Sequence, residues 1–122
     1  MLPSVYMDIY ELQKMFVKFR DDRDWQKYHT PKNQAISMGL ESAEVLEHFQ
    51  WKTDAETKEY LANPENLKAV GKELADVLSY ILIMSSDIGI DIVQAAQEKN
   101  QNNIDKYPVD KIKGNYRKYT EL

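Results

Sequence analysis

From Pro64 to about Asp87 the apolar residues Leu67, Val70, Leu74, Val77, Leu78, Ile81 and Met84 return every three or four positions, the period of one face of an α-helix. Asn63-Pro64 opens the run with a capping side chain and a proline at the first helical position. Past Asp76 the stripe widens until Val77, Leu78, Tyr80, Ile81, Leu82, Ile83 and Met84 reach nearly all the way round. A helix that is apolar on every side is buried on every side. In a chain of 122 residues that predicts a partner subunit packed against this segment. The Leu74–Met84 portion is too short for a bilayer and holds Asp76, so it is not a membrane span.

The other segments are helical too. Asp8 can cap a first helix, in which Ile9, Leu12, Met15, Phe16 and Phe19 follow at helical spacing. The polar run Arg20–Asp24 continues or frays it, and Trp25 closes it. Thr30-Pro31 starts a second helix, expected to run to about Phe49 with Ile36, Leu40, Ala43, Val45, Leu46 and Phe49 as its apolar positions. Thr53 with Glu56 forms a capping box for a short polar helix through about Leu61. Gly89 stops the long helix, and Asp91 caps a last one over Ile92 to about Ile104, ended by Pro108. No strand pattern is present. The expected fold class is all-α: a four-helix, bundle-like single domain over 1–122 with one short extra helix, its core about 8–108 and its tail 109–122.

The second and long helices carry closely spaced acids. Glu41, Glu44 and Glu47 recur every three residues, as do Glu73 and Asp76. On a helix such residues lie on neighbouring turns and repel. No lysine falls between Glu41 and Glu47 to relieve them, so a cation between the carboxylates is expected. Oxygen-only ligands select hard ions, Mg²⁺ first, then Mn²⁺ or Ca²⁺. A di-iron bundle wants Glu-x-x-His pairs, but His29 follows Gln26 by three and His48 follows Val45 by three. His48 is expected to point away from Glu44 as a packing or surface residue.

Metal-bound carboxylates suit water attack on a phosphoryl centre. Lys99, Asn103 and Lys106, four and three residues apart, share a helix face that can hold phosphate oxygens, and Tyr107 follows. Trp25, His29 and Trp51 sit at helix breaks and can stack on or hydrogen-bond to a base. Tyr80, one turn beyond Asp76, is expected as a further site contact, with core packing the alternative. The chain has no cysteine, which removes disulfides and thiolate sites and fits a reducing, cytoplasmic compartment. Its net charge of -4 gives no general attraction to nucleic acid or membrane. No Ser/His/Asp set and no phosphate-cradling glycine loop competes.

Four stretches together resemble the MazG-like, all-α nucleoside triphosphate pyrophosphohydrolases, most closely their small dCTP pyrophosphatase-type members. They are Arg23–Asn33, Glu41–Trp51 with Phe-Gln-Trp at its end, Glu73–Tyr80, and Asn103–Pro108 with Lys-Tyr-Pro at its end. The likeness spans about Phe19 to Tyr107. It implies hydrolysis between the α- and β-phosphates to a nucleoside monophosphate and pyrophosphate, and Mg²⁺ held by Glu41, Glu44, Glu73 and Asp76, with Glu47 supporting the metal or orienting water. It implies phosphate and sugar contacts from Lys99, Asn103, Lys106 and Tyr107, and a nucleoside pocket of Trp25, His29, Trp51 and Tyr80. It also implies a homodimer or homotetramer with sites near subunit contacts, and a role in nucleotide-pool sanitation on dCTP or a modified pyrimidine nucleotide. The competing readings are a non-catalytic nucleotide-binding sensor and a helical assembly module whose acids are a solubility face.

Overall fold

The computed structural model describes residues 6–122. Among them the regular structure is helical throughout: α1 (Ile9–Asp21), α2 (Pro31–Glu47), α3 (Asp54–Ala62), α4 (Pro64–Ile88), α5 (Ile92–Lys106) and α6 (Val109–Ile112). Two short 3₁₀ turns cover Gln26–Tyr28 and Tyr119–Glu121. No helix among the described residues is long and apolar enough to cross a membrane.

The expected caps form. The Asp8 carboxylate accepts from the Glu11 N–H at 2.8 Å, Thr30 accepts from Asn33, and Thr53 and Glu56 close a reciprocal capping box. Each satisfies amide groups that the first helical turn leaves without partners. Gly89 ends α4 in the left-handed region, φ 77°, where a residue without Cβ is unstrained. α2 stops at Glu47, two residues before the expected end, and the chain turns over through Trp51, which takes a left-handed φ of 70°.

The chain divides into two compact units, one within Met1–Gly89 and one over Ile90–Leu122. The boundary follows the α4 cap. In the first unit α2 packs most extensively on α4, and α1 and α3 pack on α4 as well. In the second unit Tyr119 folds back on α5: its ring lies 6.1 Å edge-on from Tyr107, with the Lys106 ammonium 4.8 Å over it. The tail thus has defined contacts.

Among the described residues the buried apolar core is small: Val70, Leu82 and Ile83, all on α4. The apolar positions expected to bury α2 do not all do so. Ile36, Leu40 and Leu46 are exposed, as are Leu67 and Leu74 on α4 and Met15 and Phe19 on α1. What α2 buries is polar: Gln34 is 1% exposed. Arg20, in the run expected to continue or fray α1, is 4% exposed.

These two residues meet on Asp87, near the end of α4. The Arg20 guanidinium forks onto the Asp87 carboxylate, Nη1 to Oδ2 and Nη2 to Oδ1, the latter at 2.9 Å. Its Nε donates to Asp21 at 3.0 Å. Gln34 Nε2 donates to Asp87 Oδ2 at 2.7 Å and to the His29 carbonyl at 2.6 Å. A second polar tie joins α1 to α4, where Gln13 Nε2 donates to the Leu82 carbonyl at 2.8 Å and to Ser85 Oγ at 3.1 Å. Such pairing is what makes polar burial tolerable. Burial alone would raise the Asp87 carboxyl pKa, but the bonds from Arg20 and Gln34 outweigh it and hold it below the usual value.

A depressed carboxyl adds stability above its unfolded pKa of about 3.9 and loses that contribution as pH falls through the lower folded value. Asp87→Asn should therefore destabilise the protein by about 2–3 kcal/mol near neutral pH, since it breaks a largely desolvated fork. The deficit should shrink at low pH. Urea melts across pH 3–7 check both; an unchanged midpoint at pH 7 would contradict them.

Candidate active site

α2 and α4 carry the expected acids to one place. Ligand-competent oxygens of Glu41, Glu73 and Asp76 all lie within 4.8 Å of one another. Glu41 and Glu73 are half-buried and Asp76 is exposed. The spacing of each acid motif keeps its members on adjacent turns, and the α2–α4 contact makes the two motifs face each other. Glu44 stands beside both Glu41 and Glu73.

The electrostatics record the crowding. Burial first, and then the adjacent Glu44 carboxyl, raises the Glu41 pKa above the usual carboxylate range. The Glu73 pKa is raised first by Glu44, then by burial. Both directions mean that the fold disfavours charging these groups while no cation balances them. Glu41 Oε2 is buried without a hydrogen-bond partner. An unpaired buried carboxylate oxygen, in an all-oxygen donor set of this span, fits a hard divalent cation.

Two cavities flank the acids. The first, about 210 Å³, is lined by Trp25, His29, Tyr80, Ser79, Glu41 and Asp76, with Phe19, Arg20 and Ile83 behind them. Three of the four aromatic or imidazole residues expected at the nucleoside pocket thus share a cavity with two of the acids. Trp25 stands edge-on to Phe19, ring centroids 5.9 Å apart. His29 and Tyr80 lie 6.1 Å apart. His29 Nδ1 is buried and has no partner. Burial, then the charge of Arg20, lowers the imidazole pKa, so at neutral pH the ring offers one N–H and one lone pair. Trp51, the fourth, is outside this cavity and 91% exposed.

The second cleft, about 480 Å³, is lined by Glu44, Glu47, His48, Lys52, Tyr60 and Glu73. Here His48 packs on Phe49 and Tyr60 as expected of a packing residue, but it does not point away from Glu44. His48 follows Glu44 by four residues, which is one turn on the same face. Its Nδ1 lies 2.7 Å from the Tyr60 hydroxyl, and its Nε2 is 3.9 Å from Glu73. Lys52 donates to the His48 carbonyl at 2.7 Å and covers the Tyr60 ring at 4.4 Å.

Lys99, Asn103 and Lys106 belong to the second unit, where they are exposed on α5, and half-buried Tyr107 caps that helix. The residues missed in the sequence are Arg20, Gln34, His48 and Asp87. A heptad signal was available for two of them: Gln34 precedes Glu41 by seven and Asp87 follows Tyr80 by seven, two turns along the same faces.

The raised carboxyls give a signed expectation. Groups with folded pKa values above about 4.3 destabilise increasingly as pH rises through those values. Glu41→Gln should raise the metal-free melting temperature at pH 7 by roughly 3 °C, with the gain fading toward pH 4. It should also weaken the rise that Mg²⁺ or Mn²⁺ gives the wild type at constant ionic strength. Calorimetric scans with and without metal measure both; a metal-independent wild type would contradict the cation site.

Known proteins fit this geometry. The chain is 33% identical over 112 residues to dCTP pyrophosphatase 1 of Rattus norvegicus and to that of Homo sapiens, a match covering 92% of this chain. It spans 66% of the length of these curated relatives. A solved pyrophosphatase structure from Archaeoglobus fulgidus DSM 4304 superposes with a TM-score of 0.76 at 38% identity, covering 88% of this chain and 99% of that one. The profile of the MazG-like family matches residues 36–122, which takes in both acid motifs. With the all-helical fold and the acids of α2 and α4 drawn together, the chain belongs to the MazG-like family.

Proposed function

We propose that this chain is a Mg²⁺-dependent nucleoside triphosphate pyrophosphohydrolase that releases a nucleoside monophosphate and pyrophosphate. Mn²⁺ serves as a substitute metal. The substrate is dCTP or a modified pyrimidine nucleotide, in keeping with the dCTP pyrophosphatase relatives, and the role is nucleotide-pool sanitation in the cytoplasm. The observation that carries the reading is the shared cavity: Glu41 and Asp76 line the same 210 Å³ space as Trp25, His29 and Tyr80. A nucleoside there has its phosphates beside the acids.

Glu41, Glu44, Glu73 and Asp76 would hold the cation. A bound divalent cation supplies Lewis-acid stabilisation of phosphoryl oxygens and a lowered pKa for the attacking water. Glu47, in the neighbouring cleft, would support the metal or orient the water. Trp25 and Tyr80 stack on the nucleoside, and the His29 ring meets its edge. The family resemblance assigns the phosphates and sugar to Lys99, Asn103, Lys106 and Tyr107. These contacts hold the reacting phosphorus in place, which is most of what phosphoryl transfer asks of a protein.

A homodimer or homotetramer completes the picture. Ile36, Leu40, Leu46 and Leu74 are exposed on the two helices that carry the acids, and Trp51 beside them is exposed in a left-handed conformation. A second copy would cover this apolar surface and give Trp51 a pocket to enter. Neither nucleic acid nor membrane is a partner in this reading.

Incubation with a panel of deoxynucleoside triphosphates and Mg²⁺ should yield monophosphate and pyrophosphate, fastest for a pyrimidine. Nucleoside diphosphate with orthophosphate, or no turnover of any nucleotide, would overturn the assignment. Glu44→Gln and Asp76→Asn should each lower kcat by roughly 10²-fold or more while keeping the helical circular dichroism. Full activity in either variant would contradict its place among the ligands.

A further inference from the structure

The buried polar network at the end of α4 is not needed to hold a metal, yet it touches the aromatic pocket. Arg20 lines that pocket, while its guanidinium is committed to Asp87 and Asp21. Gln34 is buried and splits its amide donor between Asp87 and the His29 carbonyl. Both acceptors need an N–H, so the orientation of the Gln34 amide is fixed. His29 follows the 3₁₀ turn Gln26–Tyr28, held there by its own N–H to the Gln26 carbonyl at 3.1 Å. The backbone of His29 is thus pinned from both sides: by the 3₁₀ turn, and by Gln34 acting for α1 and α4 together. His29 lines the pocket, and its Nδ1 is buried without a partner.

We propose that Arg20, Asp87 and Gln34 are positioning residues for base selectivity: through the Gln34–His29 bond they fix how the His29 edge meets the nucleobase. This rests on the pocket taking a nucleoside, as proposed above. A hydrogen-bonding edge discriminates between bases only if it cannot shift, because displacement by an ångström loses the wrong base's penalty along with the right base's bond. A lone imidazole on a connecting segment lacks that rigidity. The network supplies it from Gln34, two turns before Glu41 on α2, and from Asp87, two turns after Tyr80 on α4. Metal binding and base reading are therefore set by opposite ends of the same pair of helices.

Gln34→Met is the discriminating variant. It keeps the volume and the Arg20–Asp87 fork but cuts the link to His29. The readout is equilibrium binding of the four common deoxynucleoside monophosphates by calorimetry, which needs no turnover, alongside the melting curve and the Mg²⁺ response. Wild type should discriminate among the bases, and Gln34→Met should reduce the best-to-worst ratio roughly tenfold with the Mg²⁺ response unchanged. His29→Ala should reduce it similarly, and the double variant no further than either alone. Asp87→Asn, examined below its melting temperature, should shift selectivity in the same direction. Equal discrimination by wild type and Gln34→Met overturns the inference, as does additivity with His29→Ala or a wild type that does not discriminate. Discrimination in binding without hydrolysis of any triphosphate would instead overturn the pyrophosphohydrolase reading and leave the network's role supported.

Discussion

Like charges brought together by packing are the constraint on which this structure turns. The buried apolar core is small: Val70, Leu82 and Ile83 are the buried hydrophobic residues among those described. Yet the α2–α4 contact holds Glu41, Glu73 and Asp76 within a 4.8 Å span, with Glu44 alongside. That arrangement works against the fold at neutral pH. A divalent cation held there, as proposed above, would couple folding to ligand binding through the same side chains.

The polar network on Asp87 is the counterweight. At one end of the α2–α4 seam carboxylates crowd one another; at the other, Asp87 is satisfied by Arg20 and Gln34. A chain with so small a buried core needs directional bonds to fix the register of its helices. The fork from α1 and the amide from α2 provide them. The aromatic pocket lies between these two ends, and its walls come from both: Asp76 and Glu41 from one, Arg20 and His29 from the other.

Much of this was legible in the letters. Caps at Asp8, Thr30, Thr53, Asn63 and Asp91 predict where five helices begin, because each is a side chain that can satisfy free amides followed by a helical pattern. The convergence of the acids follows from two motifs on two amphipathic helices. Burial was less readable. Ile36, Leu40 and Leu46 read as apolar helix positions and are exposed in the chain, while the polar residues Gln34 and Arg20, given no buried role in the sequence, are buried. Periodicity reports which residues share a face but not what that face meets. A buried polar residue is recognised only once its partners, here 53 and 67 residues away, are in place. His48 was misplaced for a simpler reason: an i, i+4 relation to Glu44 puts it on the acid side.

The central claim is that the acids of α2 and α4 form one cation site. Crystals grown with Mn²⁺ and measured near the manganese absorption edge test it most directly. The account predicts an anomalous peak among the carboxylates of Glu41, Glu73 and Asp76. A map with no peak there, or with its strongest peak on other acidic residues, would contradict it.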